Sequence, residues 1–144
     1  MARASDPFAV FKFAVEIQDL RVGGFSEVSG LQSETEVEEY REGGNNLHFH
    51  KLAKATKYGN LILKRGLVDS QALWQWRQDV INGTINRKQV TVILHDRQGQ
   101  EKWRWVFEGA YPVKWSSADL NATSSTTIAV ESVELAHHGF TKGG

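Results

Sequence analysis

Between residues 90 and 107 two runs of period-two apolar residues face each other across a polar turn. Val90, Val92 and Leu94 climb one arm, "DRQGQ" (96–100) reverses the chain, and Trp103, Trp105 and Phe107 descend the other. On a helix those six side chains would scatter around the axis. On two antiparallel strands they fall on one face, so the segment is a β-hairpin with a buried side. A chain holding this hairpin must build a sheet and cover it.

Further strands follow from the same alternation. Residues 8–17, "FAVFKFAVEI", place Phe11, Phe13, Val15 and Ile17 inward and Lys12, Ala14 and Glu16 outward. Short strands are expected over 23–31, 32–40, 59–66 and 126–136. In the last of these Ile128 and Val130 share one phase and Val133 and Leu135 the other, which predicts a β-bulge near Glu131-Ser132 or a change of sheet. Pro112 is expected to end the second hairpin arm or to sit at an edge. One α-helix is expected over about 69–82, N-capped by Asp69 or Ser70 and ended by Asn82-Gly83. Its apolar face carries Leu73, Trp74, Trp76, Val80 and Ile81, with Leu73 and Trp76 laid over the hairpin as core. Residues 41–58, containing "EGGNN", show weak periodicity and read as a long loop that orders on assembly. The expected fold is mainly β: one domain over 1–144, a small barrel or sandwich of six to seven strands with one helix. Residues 1–7 form an N-terminal arm, 41–58 an assembly loop and 141–144 a C-terminal tail.

Charge narrows the function. Lys plus Arg equals Asp plus Glu at 17 each, which argues against a specific nucleic-acid binder. Cysteine is absent, so disulfides and thiolate metal sites are excluded. The start "MARASDPFAVFKF" has no apolar stretch resembling a signal, and no run is long enough to span a membrane, so synthesis and folding in the cytoplasm are expected. The charges are nevertheless segregated. Residues 33–42 hold Glu34, Glu36, Glu38, Glu39 and Glu42 against Arg41, whereas 51–65 hold Lys51, Lys54, Lys57, Lys64 and Arg65 and no acid. On a strand Glu34, Glu36 and Glu38 share one face about 7 Å apart, and a file of like charges must stay hydrated.

No catalytic or cofactor constellation emerges. His48 and His50 lack a third ligand at sensible spacing, and His137-His138 point opposite ways on a strand. No phosphate-binding or nucleophile-elbow pattern occurs. Trp103, Trp105 and Trp115 could form an aromatic platform, making a carbohydrate-binding β-sandwich the alternative reading; the core reading of the hairpin tryptophans is preferred.

Several segments in order, "VGGFSEVSGL" (22–31), "KYGNLILKRGLVDS" (57–70), "LWQWR" (73–77), "YPVKW" (111–115) and "ESVELAHHGF" (131–140), together with "DPFAVFKFAVEI" (6–17), resemble the inner tail-tube proteins of contractile phage-tail-like particles. The likeness runs over about residues 6–140 and is nearest to tube subunits of extracellular contractile injection systems, with tailed phages and the type VI needle as relatives. The resemblance implies a structural, non-enzymatic protomer without cofactors or metals that forms six-membered rings stacked into a hollow tube. It implies as partners further copies of itself, a sheath, baseplate and spike proteins, tube-terminating proteins and lumen cargo, with membranes met only during puncture and the particle released from the cell. Within that picture Glu34, Glu36 and Glu38 are expected to line the lumen and discourage acidic cargo; the alternative is that they face outward to meet the sheath or pair with bases on a neighbouring copy. Lys51, Lys54 and Lys57 are expected to cross a subunit boundary toward acids such as Glu39 and Glu42.

Overall fold

The computed structural model describes residues 12–41, 49–68, 70–117, 119–123 and 128–143. Phe11, Glu42, His48, Asp69 and the 1–7 arm lie outside the described residues. The strands are β1 (Lys12–Ile17), β2 (Glu27–Ser29), β3 (Ser33–Arg41), β4 (Phe49–Tyr58), β5 (Leu61–Gly66), β6 (Lys88–His95), β7 (Glu101–Ser117), β8 (Val130–Ala136) and β9 (Phe140–Lys142). The helix α1 spans Ala72–Ile81 between β5 and β6. The class is mainly β with a single helix, as expected. The described strands exceed the expected six to seven because the stretch read as a loop contains β4 and the C-terminal residues contain β9.

The main sheet runs β1-β6-β7-β8-β5-β2, with β9 also paired to β7. Strand β7 holds it together. Over Glu101–Ala110 it lies beside β6, and over Tyr111–Ser117 beside β8. Two half-sheets, β1-β6-β7-β9 and β7-β8-β5-β2, therefore share one strand and enclose one core, in which Leu61, Leu63, Leu73, Val90, Phe107, Val133 and Leu135 are fully buried. Pro112 does not end β7; it sits, as the alternative expectation had it, in the stretch of β7 that β6 leaves unpaired. It is buried within β7 where the pairing with β8 shifts register, a position that tolerates the missing N–H.

The hairpin has Val90 opposite Phe107, Val92 opposite Trp105 and Leu94 opposite Trp103. Val90, Val92 and Phe107 are buried, Trp105 packs on the core margin, and β1 adds Val15 and Ile17 with Phe13 beside them. Leu94 and Trp103 depart from the expected core. Both lie outside the buried cluster, because the hairpin outruns the layer that covers it. Trp103 instead leans on Trp105, ring centroids 6.3 Å apart, and takes the Lys142 ammonium 4.7 Å from its ring centre. At the turn, Asp96 accepts the N–H groups of Gln98 and Gln100, each at 2.9 Å. The Gln100 bond foremost, then Gln98 and the Lys102 ammonium, hold its carboxyl below the ordinary carboxylate range.

Helix α1 buries Leu73 and Trp76, whose indole N–H donates to the Asn86 carbonyl at 2.8 Å. Trp74 and Ile81, on the same expected face, are 42% and 57% exposed. The helix begins after Gln71 without a side-chain cap, and Gly83 at φ +93° closes it by donating to Val80.

Strand β8 corrects the expected slip. Its pairing with β5 runs unbroken from Leu135 opposite Leu61 to Val130 opposite Gly66. The inward phase is Glu131, Val133, Leu135, and the first of these is a buried carboxylate facing Arg65 of β5. A charged residue on the core face imitates a change of phase when charge is taken to mean outward. Arg65 likewise leaves the surface basic block to which the sequence assigned it.

Candidate assembly surfaces

Residues 49–58 are a strand, not a loop. β4 pairs antiparallel with β3, and this ribbon continues β2 and β5: Ser29 lies opposite Ile62 and Ser33 opposite Tyr58, four residues further along each strand. The interruption between them is a built root. Gly30 adopts φ +92°, Gln32 N–H donates to the Gly30 carbonyl at 2.9 Å, and Gly59 N–H donates to Gln32 at 3.3 Å. Gly139 N–H donates to His137 Nδ1 at 3.0 Å, so the proton sits on Nε2, which donates to the Gly59 carbonyl at 2.8 Å. The imidazole stacks on Phe107, centroids 4.9 Å apart. A Cβ at Gly30 would stand 1.9 Å from the Asn60 carbonyl oxygen and impose a left-handed conformation on a side chain. Gly30→Ala is therefore expected to cost about 1–3 kcal/mol, read as a lowered thermal midpoint. An unchanged midpoint would show a root that relaxes freely.

Beyond the root every residue of 33–40 and 51–58 is exposed. A two-stranded ribbon is at best marginally stable alone, and this one leaves both outer edges unpaired among the described residues. Glu34, Glu36 and Glu38 alternate along β3, and the register of their neighbours gives the charge pattern its meaning. Glu34 lies opposite Lys57, Glu38 opposite Leu52 and Glu39 opposite Lys51. Lys57 pairs with Glu36, and Lys51 Nζ lies 4.0 Å from Glu39. The oppositely charged blocks of the sequence are thus the two strands of one ribbon, and these lysines meet acids of their own chain. Exposed pairs of this kind contribute about 0–1 kcal/mol each. Lys54 falls where the register shifts, with no ion pair among the described residues.

Tyr58 packs edge-on against Phe140 at 5.3 Å, on the core side of the ribbon. Its neighbour Lys57, with Glu34 opposite, therefore projects to the other side. On that side Asn60 Nδ2 donates to Glu134 at 3.2 Å and Lys64 lies 3.9 Å from Glu27. The glutamate file thus extends the solvent face of β7-β8-β5-β2, a face where Lys64, Lys114 and Glu134 flank Ser116 and Ser132.

Among the described residues this half-sheet ends in two open edges. On one side β2, and β3 beyond it, carry no further described strand. On the other, β6 pairs with β7 only as far as Ala110, so Tyr111–Ser117 is unpaired on the side away from β8. Natural monomers blunt or cover such edges. Beside the second edge Trp74 of α1 stands edge-on to Trp115 of β7, centroids 4.8 Å apart.

A sugar platform needs coplanar rings. Trp103 and Trp105 are tilted by 50°, and Trp115 is engaged at 78° with Trp74. Among the described residues no group of three or more metal-ligating side chains comes together, and no helix is long and apolar enough to cross a membrane.

Residues 9–141 match the family described as T4-like virus tail tube protein gp19. The chain is similar to one in the cryo-EM structure of the anti-feeding prophage (AFP) baseplate, 6-fold symmetrised, at 26% identity over 97% of each chain with a TM-score of 0.87. It is also similar to one in the sheath-tube complex of an extracellular contractile injection system, PVC, in the extended state: 25% identity over 97% of this chain and 93% of the other, TM-score 0.85. Hcp1 from Flavobacterium johnsoniae shares the fold at 15% identity over 93% and 96% of the two chains, with a TM-score of 0.56. No curated protein sequence matches significantly. With nearly its whole length matched, the chain belongs to the T4-like virus tail tube protein gp19 family and is a structural tube subunit of a contractile injection system.

Proposed function

We propose that copies of this protein close edge to edge into six-membered rings, and that the rings stack into the inner tube of the particle. The carrying observation is the pair of open edges on one four-stranded half-sheet. Laying the β2–β3 edge of one copy against Tyr111–Ser117 of the next is a head-to-tail contact, and a closing rotation leaves no edge free. The solvent face of β7-β8-β5-β2 then becomes the wall of the lumen, with Glu34, Glu36 and Glu38 on it. Because Lys57, Lys64 and Lys114 share that face, the wall is hydrated and of mixed sign rather than uniformly acidic. Cargo of either charge meets few places to adhere.

The chains it resembles come from a sheath-tube complex, a baseplate and a tube-terminating cap. Sheath, baseplate and spike, and terminator are accordingly the proposed partners outside and at the ends. The protein acts by shape and polymerisation, without catalysis or cofactor. It is made in the cytoplasm, becomes part of a phage-tail-like particle, and meets a membrane only as the tube is driven through one.

Negative-stain imaging of the purified protein at high concentration with its baseplate nucleator is expected to show rings or hollow rods; a solitary monomer under those conditions would end the proposal. Neutralising the file with E34Q/E36Q/E38Q is expected to leave ring formation intact, since main-chain pairing of the edges holds the copies together. Loss of rings from a folded triple variant would mean that the glutamate file, not the edge pairing, joins them.

A further inference from the structure

We infer that the flank of α1 around Trp74 and Trp115 is the seat for β3 of the neighbouring copy, with Val37 as its apolar plug. The inference rests on the ring reading and assigns the side chains that fix the partner. Leu67, Val68, Trp74 and Ile81 are each between 42% and 57% exposed, in one region of the surface. Two hollows flank the tryptophan pair, one bounded by Leu67, Val68 and Gln71, the other by Arg77, Ile81 and Val113. A contiguous apolar area of this kind on a soluble chain marks a contact surface.

The flank borders the open Tyr111–Ser117 edge. Val113 and Trp115 line the hollows, Lys114 stands at the border between one hollow and the solvent face, and Ser116 belongs to that face. A strand added here gains main-chain hydrogen bonds from the edge, and its alternate side chains go to the hollows and to the solvent face in turn. β3 carries the matching alternation. Thr35 and Val37 point one way, Glu34, Glu36 and Glu38 the other, and Val37 is 55% exposed. With Val37 seated toward Ile81, the glutamates come to the side of Lys114, which has no ion-pair partner among the described residues. The opposite facing would bury carboxylates against indole rings without partners, at a cost no edge pairing offsets.

Charge selects the same occupant. Among the described residues the ionised groups that line the hollows are the bases Arg77 and Lys114 and the acid Glu131, and Glu131, at the floor of one hollow, is buried and matched by Arg65. β3 offers Glu34, Glu36, Glu38 and Glu39. In its own chain β3 packs chiefly on β4, so the apolar face of the strand is free for another copy.

The absence of cysteine makes the test clean. Rings assembled from the double variant V37C/I81C and treated with a short bis-maleimide are expected to give a ladder of covalent oligomers, and rings of E36C/I81C are not. Rings that form by electron microscopy yet give no ladder from V37C/I81C, or a stronger one from E36C/I81C, would overturn the seat and leave the ring reading standing. Failure of the unmodified protein to form rings would remove the ring reading itself. Trp74→Ala, at a half-exposed position, is expected to keep the monomer's melting profile and raise the concentration needed for rings at least tenfold. An unchanged threshold would also overturn the seat.

Discussion

Replacing Glu131 by leucine alone is expected to lower the free energy of unfolding by about 3–5 kcal/mol, whereas the double variant R65M/E131L is expected to be as stable as the parent or more so by about 1–4 kcal/mol. The two side chains are each only 4% exposed, and Arg65 Nη2 stands 3.4 Å from Glu131 Oε1. Among the described residues Arg65 Nε and Nη2 have no hydrogen-bond partner, and beyond Glu131 the guanidinium faces the Phe25 ring, 5.4 Å from its centre. Desolvation of both charges is therefore met by one long contact. Removing one partner leaves an uncompensated charge in the core, while removing both leaves two apolar side chains of similar size. Against a total stability of about 5–15 kcal/mol, the single change brings the fold near its limit. Denaturant titration with an unchanged slope is the measurement. A single variant within about 1 kcal/mol of the parent would show that water reaches the pair.

What could be seen in the sequence follows contrast between the two sides of each element. The 90–107 hairpin and β1 alternate between core and surroundings, so their inward faces are legible in the sequence. The inward Glu131 was misread because alternation rules equate charge with solvent, and a buried ion pair breaks that equation. Leu94 and Trp103 were misplaced for a different reason: alternation reports which face a residue takes, not where the covering layer stops. β4 is hidden because 33–40 and 51–58 of its ribbon are exposed on both faces. The register shift between Thr56 and Ala53 also removes what periodicity remains. The tail-tube resemblance supplied the family where local patterns could not. The helix's apolar face is wider than the sheet beneath it requires. Leu73 and Trp76 suffice to cover the sheet, so Trp74 and Ile81 were surplus to the monomer and pointed to a surface for another copy.

Excising the ribbon is expected to separate folding from assembly completely. Gly59 N–H donates to the Gln32 carbonyl, so residues 33–58 leave the body through two adjacent strands, and an Asn-Gly link from Gln32 to Gly59 can close the gap as a tight hairpin turn. The described residues of the removed segment contribute nothing to the core cluster; their main tie to the body is Tyr58, set against Phe140 and His137. The shortened protein is expected to melt cooperatively, within about 1–2 kcal/mol of the parent, the range of a surface aromatic contact with its hydrogen bonds. Its assembly is expected to be abolished rather than weakened. The open Tyr111–Ser117 edge loses the strand proposed to cover it, and at β2 only three residues of the opposing edge remain. Sedimentation should give a monomer at every concentration at which the parent forms rings, with no rods even beside a baseplate nucleator. Rods of normal diameter from the excised protein would mean that rings close through some other surface, and the roles of both edges would have to be reassigned.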